Sequence, residues 1–291
     1  MLFDPGFTDL LRDALPWAGP FFRIITELGS ETFYIAFILI VYWVFDKRSA
    51  LRTAFVLLSS LLLNYWLKAI IQNPRPDPSN WYGDYEASNY STPSGHAQNS
   101  ASFFGWIAAE AKTYWVYVLS SLLIFLIGIS RVYLGVHYLT DVVLGWFVGL
   151  LLILVVVLSE DWIQKQLSKL SRSQLYGGLF VVGLVVTLVS TYLLPSAPGD
   201  NFGALGGLVM GIAVALPLEQ RYVGFESSIS KDAKWKSILR IIIGLVLVIA
   251  SLIGLGIFLP SEIVWLRALR YAIVVFIGVF IWPYLFQKSG L

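Results

Sequence analysis

Residues 137–159 read HYLTDVVLGWFVGLLLILVVVLS, a histidine and an aspartate four positions apart followed by eighteen residues without a formal charge. An apolar run of that length matches the hydrocarbon core of a bilayer, roughly 30 Å at about 1.5 Å per helical residue. The whole 291-residue chain has the same character: 57% of residues are hydrophobic, 13% are charged and mean hydropathy is +0.75. Water-soluble domains carry about 25% charged residues, so this chain lacks the ionic groups to cover a wet surface, and it is too apolar to be disordered. A net charge of +2 without a basic tract speaks against a nucleic-acid partner. The absence of cysteine removes disulfide scaffolds, thiol catalysis and thiolate-ligated zinc. The sequence is that of an all-α polytopic membrane protein.

Working outward from 137–159, apolar runs predict nine transmembrane spans, near 29–46, 50–72, 95–110, 113–130, 137–159, 175–194, 202–218, 238–258 and 263–286. The third carries Asn99, Ser100 and Ser102 and must face other helices. Residues 1–28 place Asp9, Arg12 and Asp13 among apolar positions at helical spacing and read as an amphipathic interfacial helix. They lack the basic start and clean apolar stretch of a cleaved signal peptide. Residues 161–174 form a polar linker between a core bundle at 29–160 and a second bundle of four helices at 175–291. Alternating the loops across nine spans gathers thirteen of the twenty Lys and Arg residues on one side, among them Lys47, Arg48, Lys165, Arg221 and Lys231. The positive-inside rule makes that side cytoplasmic, with the N-terminus outside and the C-terminus in the cytoplasm. Gly203, Gly207 and Gly211 form a small-residue stripe suited to close helix packing inside the chain or, alternatively, to a homodimer seam. Arg267 and Arg270, one turn apart, either snorkel or meet an anionic head group.

The only two histidines, His96 and His137, fall at the non-cytoplasmic ends of predicted spans. Polar residues that a lipid-embedded chain should avoid gather around them in KAIIQNPRP (68–76), STPSGH (91–96) and SRVYLGVHYLTD (130–141). Pro74 and Pro76 stop the second span, leaving Arg75 in a rigid turn beside Lys68. On their own, both cations could be snorkelling interface residues. Pro93-Ser94-Gly95 turns into a helix starting near His96; Gly95 permits close backbone approach and a helix N-terminus favours an anion, though a turn and N-cap explain the same residues. His137 and Asp141 share a helix face, where a carboxylate on one ring nitrogen leaves the other lone pair as a nucleophile. A purely structural His–Asp pair is the alternative. Taken together, three cations converging on one site call for a dianion such as phosphate, and phosphoryl transfer needs mainly positioning and charge stabilisation. A metal site is disfavoured, since the histidines have no closely spaced carboxylates and the cations would repel a divalent ion.

The pattern K-x6-RP (Lys68, Arg75, Pro76), PSGH (Pro93 to His96) and SR-x5-H-x3-D (Ser130, Arg131, His137, Asp141) resembles the three signature motifs of the type 2 phosphatidic acid phosphatase superfamily. The resemblance implies that His137 is the nucleophile, forming a phosphohistidine, that Asp141 orients it and that His96 protonates the leaving group. It further implies that Lys68, Arg75, Ser94, Gly95 and Arg131 hold the phosphate, with no cofactor. The common microbial lipid phosphatases of this family have six spans; a nine-span layout is similar to glucose-6-phosphatase and, more loosely, to sphingosine-1-phosphate phosphatases. The expected activity is metal-independent hydrolysis of a lipid phosphate (phosphatidate-like, isoprenoid or sphingoid phosphate or pyrophosphate). The site would face away from the cytoplasm, in the plasma membrane or, in a eukaryote, the endoplasmic reticulum. Rival readings are hydrolysis of a soluble phosphomonoester such as a sugar phosphate, phosphoryl transfer between lipids, and a transporter or scaffold with a vestigial site. In the loop DPSNWYGDYEASNYST (77–92), Trp81, Tyr82, Tyr85 and Tyr90 are expected at head-group level, or alternatively as anchors of the fold. Asp77, Asp84 and Glu86 there would repel free anionic metabolites.

Overall fold

The computed structural model describes residues 6–83, 85–195, 202–227 and 234–291, Phe202 by its backbone alone. Residues 1–5 of the N-terminal segment, Asp84 of the aromatic loop and Lys231 of the basic set lie outside the described residues. Among the described residues there are helices and no strand. Two short helices, α1 (Gly6–Ala14) and α2 (Gly19–Glu27), precede α3 (Glu31–Ile40), which runs on as a π-helical turn, Val41–Phe45. Then come α4 (Lys47–Ile71), α5 (Gly95–Ala111), α6 (Tyr114–Tyr133), α7 (Leu139–Leu167), α8 (Arg172–Tyr192), α9 (Phe202–Tyr222) and α10 (Lys234–Phe258). Last is α11 (Val264–Phe276), continued through a second π turn, Ile277–Ile281, into α12 (Trp282–Lys288).

Among the described residues, seven helices are long and apolar enough to cross a membrane, or eight if α2 and α3, bent by 48°, form one span. The expected nine included α5 and the run at 29–46. α5 has 17 residues, about 26 Å of helix, and its buried residues include Gln98, Asn99, Ser100 and Ser102. It is a short polar helix that needs protein rather than lipid around it. The run at 29–46 reaches spanning length only by joining α2. Within the segment expected as one interfacial helix over 1–28, a break containing Pro16 separates α1 from α2. Both pack against α6, where Thr8 Oγ1 donates to the Val132 carbonyl at 3.0 Å and Phe22 and Ala18 cluster with Tyr133. Their outer face keeps Trp17 and Ile24 exposed.

The chain divides into two compact units. One holds the residues up to Ile35 together with Thr53–Glu160; the other holds Ala36–Arg52, Asp161–Leu194 and the residues beyond Asn201. The segment 36–52, expected in the core bundle, therefore groups with the second unit. The polar linker expected at 161–174 is mostly helix, because α7 runs on to Leu167 and α8 starts at Arg172 behind a capping box of Ser171 and Gln174.

Inside the second unit the glycine stripe faces α11. A Cβ on Gly203, Gly207 or Gly211 would lie 2.6, 2.2 and 2.8 Å from the carbonyl oxygens of Val264, Ala268 and Ala272. The stripe thus brings two backbones of the same chain together. In the first unit α4, α5, α6 and α7 carry all three motif clusters and position the site.

Candidate active site

The three clusters meet in the first unit. α4 ends at Ile71, where Gln72 takes a positive φ and Pro74 and Pro76 follow, so the chain leaves the helix just past Lys68. Lys68, 4% exposed, donates its ammonium to the carbonyls of Tyr90 and Ser91. Arg75 donates to the carbonyls of Asn89 (2.5 Å) and Val136 (2.9 Å), and its Nη1 lies 2.9 Å from His137 Nε2. Burial, then the nearby Arg131, lowers the Arg75 pKa to about 10, so it is still a cation at neutral pH. Arg131, at the end of α6, is buried and donates from Nη1 to Thr26 Oγ1 (2.7 Å) and the Tyr85 hydroxyl (2.6 Å). These acceptors are uncharged, so none of them cancels a positive charge.

His137 sits in the turn between α6 and α7, where Gly135 at φ +75° reverses the chain against the Asn80 carbonyl. An arginine N–H can only donate, so the Nε2 facing Arg75 must carry the free lone pair. Nδ1 then bears the proton and faces Asp141 Oδ2 at 3.3 Å. Asp141, fully buried, also accepts from Ser91 Oγ (2.5 Å), Thr92 Oγ1 (2.5 Å) and the Tyr138 backbone N–H (2.9 Å). A buried carboxylate so enclosed is fixed in place.

Ser94 caps α5. Its backbone N–H is taken by the Asp141 carbonyl at 2.9 Å, whereas its buried Oγ has no partner. At Gly95 a Cβ would lie 3.1 Å from Asn64 Oδ1. The His96 ring lies against Gly29, whose Cβ, if present, would come within 3.1 Å of His96 Cδ2. Lys68, Arg75, Arg131 and His137 are all close enough to act on His96 electrostatically. All eight residues singled out by the sequence thus fall in one neighbourhood, although the Ser94 amide is already used. Among the described residues no group of three or more His, Asp or Glu side chains gathers to hold a metal ion.

Residues 49–165 match the PAP2 superfamily, and residues 202–291 match "PAP2 superfamily phosphatase, transmembrane extension". Phosphatidylglycerophosphatase B of Bacillus subtilis (strain 168) is 34% identical over 163 residues, 52% of this chain and 79% of that protein. This chain belongs to the PAP2 superfamily. Sphingosine-1-phosphate phosphatase 1 of Mus musculus is 27% identical over 253 residues, 78% of this chain. Lipid phosphate phosphatase delta of Arabidopsis thaliana is 24% identical over 227 residues, 70% of this chain. The chain spans 57% and 53% of the length of those two proteins. It is a phosphatase of the PAP2 lipid phosphate family, and PAP2 phosphatases hydrolyse phosphate esters.

Several parts of this PAP2 site escaped the sequence reading. Ser91 and Thr92 look like turn residues, yet they hold Asp141. A polar ladder supports the PSGH turn from below: Asn64 Nδ2 donates to Pro93 O (3.3 Å) and Gln98 Oε1 (2.9 Å), and Gln98 Nε2 donates to the Ser60 carbonyl (2.9 Å). Ser60 Oγ in turn donates to Asn99 Oδ1 at 2.8 Å. Gly145 and Gly149 of α7 let α5 approach, since a Cβ at either would lie 2.8 Å from Ser94 O or 2.5 Å from Gln98 O. Their four-residue spacing was the available signal. The aromatic loop turns inward: Trp81 Nε1 donates to Pro76 O at 3.0 Å, and the Tyr82 ring lies 5.9 Å from that of Tyr133.

Proposed function

We propose that this PAP2 protein hydrolyses the phosphomonoester of a membrane lipid through a phosphohistidine on His137. The observation that carries the reading is the free lone pair of His137 Nε2, set 2.9 Å from Arg75 while Nδ1 faces Asp141. An incoming phosphate is drawn by Lys68, Arg75 and Arg131, and Arg75 shifts its donor from the ring to a phosphate oxygen, freeing Nε2 to attack phosphorus. The P–O bond to the lipid breaks as the N–P bond forms, and His96 supplies the proton that the leaving alkoxide takes. Water then attacks the phosphohistidine, giving up a proton to His96, and orthophosphate leaves. Asp141 offsets the charge that the ring gains at Nδ1–H.

Substrates of the kind named in the relatives, phosphatidylglycerophosphate, sphingosine 1-phosphate and lipid phosphates, share a phosphate on a bilayer-anchored tail. The basic-residue bias puts the site on the non-cytoplasmic face of the plasma membrane, or of the endoplasmic reticulum in a eukaryotic cell, with the C-terminus cytoplasmic. The test is phosphate release by the purified chain from a panel of lipid and sugar phosphates in detergent micelles. A lipid phosphate is expected to show much the higher kcat/KM, and diluting it in detergent at constant bulk concentration should slow the reaction. A sugar phosphate that matches the best lipid, with no effect of dilution, overturns the lipid assignment.

A further inference from the structure

Arg131 is 3% exposed, and the way it is held determines which of its edges is free. Nη1 has two hydrogens, and both are engaged, one by Thr26 Oγ1 at 2.7 Å and one by the Tyr85 hydroxyl at 2.6 Å. Tyr85 also lies under the guanidinium, with its ring centroid 5.0 Å from Cζ. Nε is buried without a partner, and Nη2 has none among the described residues. What remains is the Nε–Nη2 side of the fork, whose two parallel N–H bonds match two oxygens of a phosphate.

Neither tether lies within the three motifs. Thr26 belongs to α2, upstream of the matched residues 49–165, and is fully buried. Tyr85 belongs to the loop between the first two motifs. We propose that Thr26 and Tyr85 are positioning residues that clamp Nη1 so that the Nε–Nη2 edge of Arg131 meets the substrate phosphate. Helix α2 is thereby a working wall of the site. This rests on the reading that Arg131 binds phosphate. A guanidinium released from its clamp keeps its charge but loses the side-on geometry, so ground-state binding of the phosphate weakens more than the chemical step.

The test compares the full-length chain with Thr26→Val, Thr26→Ser and Tyr85→Phe in detergent micelles, reading kcat and KM on a lipid phosphate and inhibition by orthovanadate. Thr26→Val and Tyr85→Phe are each expected to raise KM and the inhibitory vanadate concentration about tenfold, the scale of one hydrogen bond to a charged group. Thr26→Ser should restore both to within about threefold. In an Arg131→Lys background, Thr26→Val should add nothing further. If Thr26→Val fails to fold, Tyr85→Phe, which keeps the ring, supplies the readout. Unchanged KM and vanadate sensitivity in a folded Thr26→Val or Tyr85→Phe protein overturns the clamp. A wild-type chain that releases no phosphate from any lipid or sugar phosphate overturns the phosphatase reading instead.

Discussion

Asp141→Asn separates the charge of this carboxylate from its hydrogen bonding. An asparagine oxygen at the Oδ2 position still accepts from the Tyr138 N–H, Ser91 Oγ and His137 Nδ1–H, which all face that oxygen. Its amide nitrogen would then face Thr92 Oγ1, which now donates to Oδ1 at 2.5 Å and accepts from Asn73 Nδ2 at 2.8 Å. Re-aiming one hydroxyl proton lets the amide donate there, so the fold should survive. The interaction lost is the attraction between the carboxylate and the ring charge that develops as Nε2 attacks. For full charges at the observed 3.3 Å and an effective dielectric of about 20, that attraction is about 5 kcal/mol. With roughly half a charge on the ring in the transition state, about 2–3 kcal/mol is forfeited, which is about 30–150-fold in rate. Steady-state phosphate release at saturating lipid should therefore show kcat lowered by that factor, KM little changed and the melting temperature within a few degrees of wild type. A folded Asp141→Asn protein with kcat within about threefold of wild type would refute the role given to this charge.

His137→Ala should abolish turnover, whereas His96→Ala should retain activity on an ester with a good leaving group, because a general acid is worth about 10²–10⁴-fold and matters least there. Wild-type-like turnover by His137→Ala would remove the nucleophile assignment. If, as proposed, cations rather than a metal ion neutralise the phosphate, activity should survive EDTA and be blocked by vanadate; loss on chelation with recovery in Mg²⁺ would contradict this. Gly207→Ala places a Cβ about where Ala268 O allows none, at 2.2 Å, and should destabilise the second unit by about 1–3 kcal/mol. Gly177→Ala on α8 meets nothing within 4 Å and should not. Equal thermal stability of the two variants would show that the backbones do not meet as described.

The site was legible in the sequence because charged and imidazole side chains are conspicuous in a chain this apolar, and their spacing survives folding unchanged. Their supports were hidden for physical reasons. Ser91 and Thr92 sit in a loop where hydroxyls ordinarily serve turns, and Thr26 is 105 positions from Arg131 on a segment that composition alone makes peripheral. At α5 hydropathy alone does not tell a helix wrapped in protein from one wrapped in lipid; Asn99, Ser100 and Ser102 supplied that reading. The linker at 161–174 misled in the opposite sense, since polar residues can continue a helix past the bilayer, as α7 does to Leu167. The glycine stripe was legible as a contact, but its partner, α11, lies outside any local pattern.

The uncharged acceptors around the three cations bear on how a cycle ends. Lys68 rests on carbonyls, Arg75 on carbonyls and a neutral imidazole, and Arg131 on two hydroxyls. The carboxylate hydrogen-bonded within this cluster is Asp141. With His137 neutral and His96 carrying the proton it gives up, the cluster holds three surplus positive charges, which a phosphate dianion lowers to one. Orthophosphate, the product, satisfies that balance as fully as the substrate does. Electrostatics therefore gives the spent phosphate no push to depart, and the exit step depends on water re-entering the pocket and on the phosphate concentration outside. If the site works as proposed, free phosphate on its own, non-cytoplasmic side of the membrane would slow this enzyme without any dedicated regulator, through the same surplus charge that gathers its substrate.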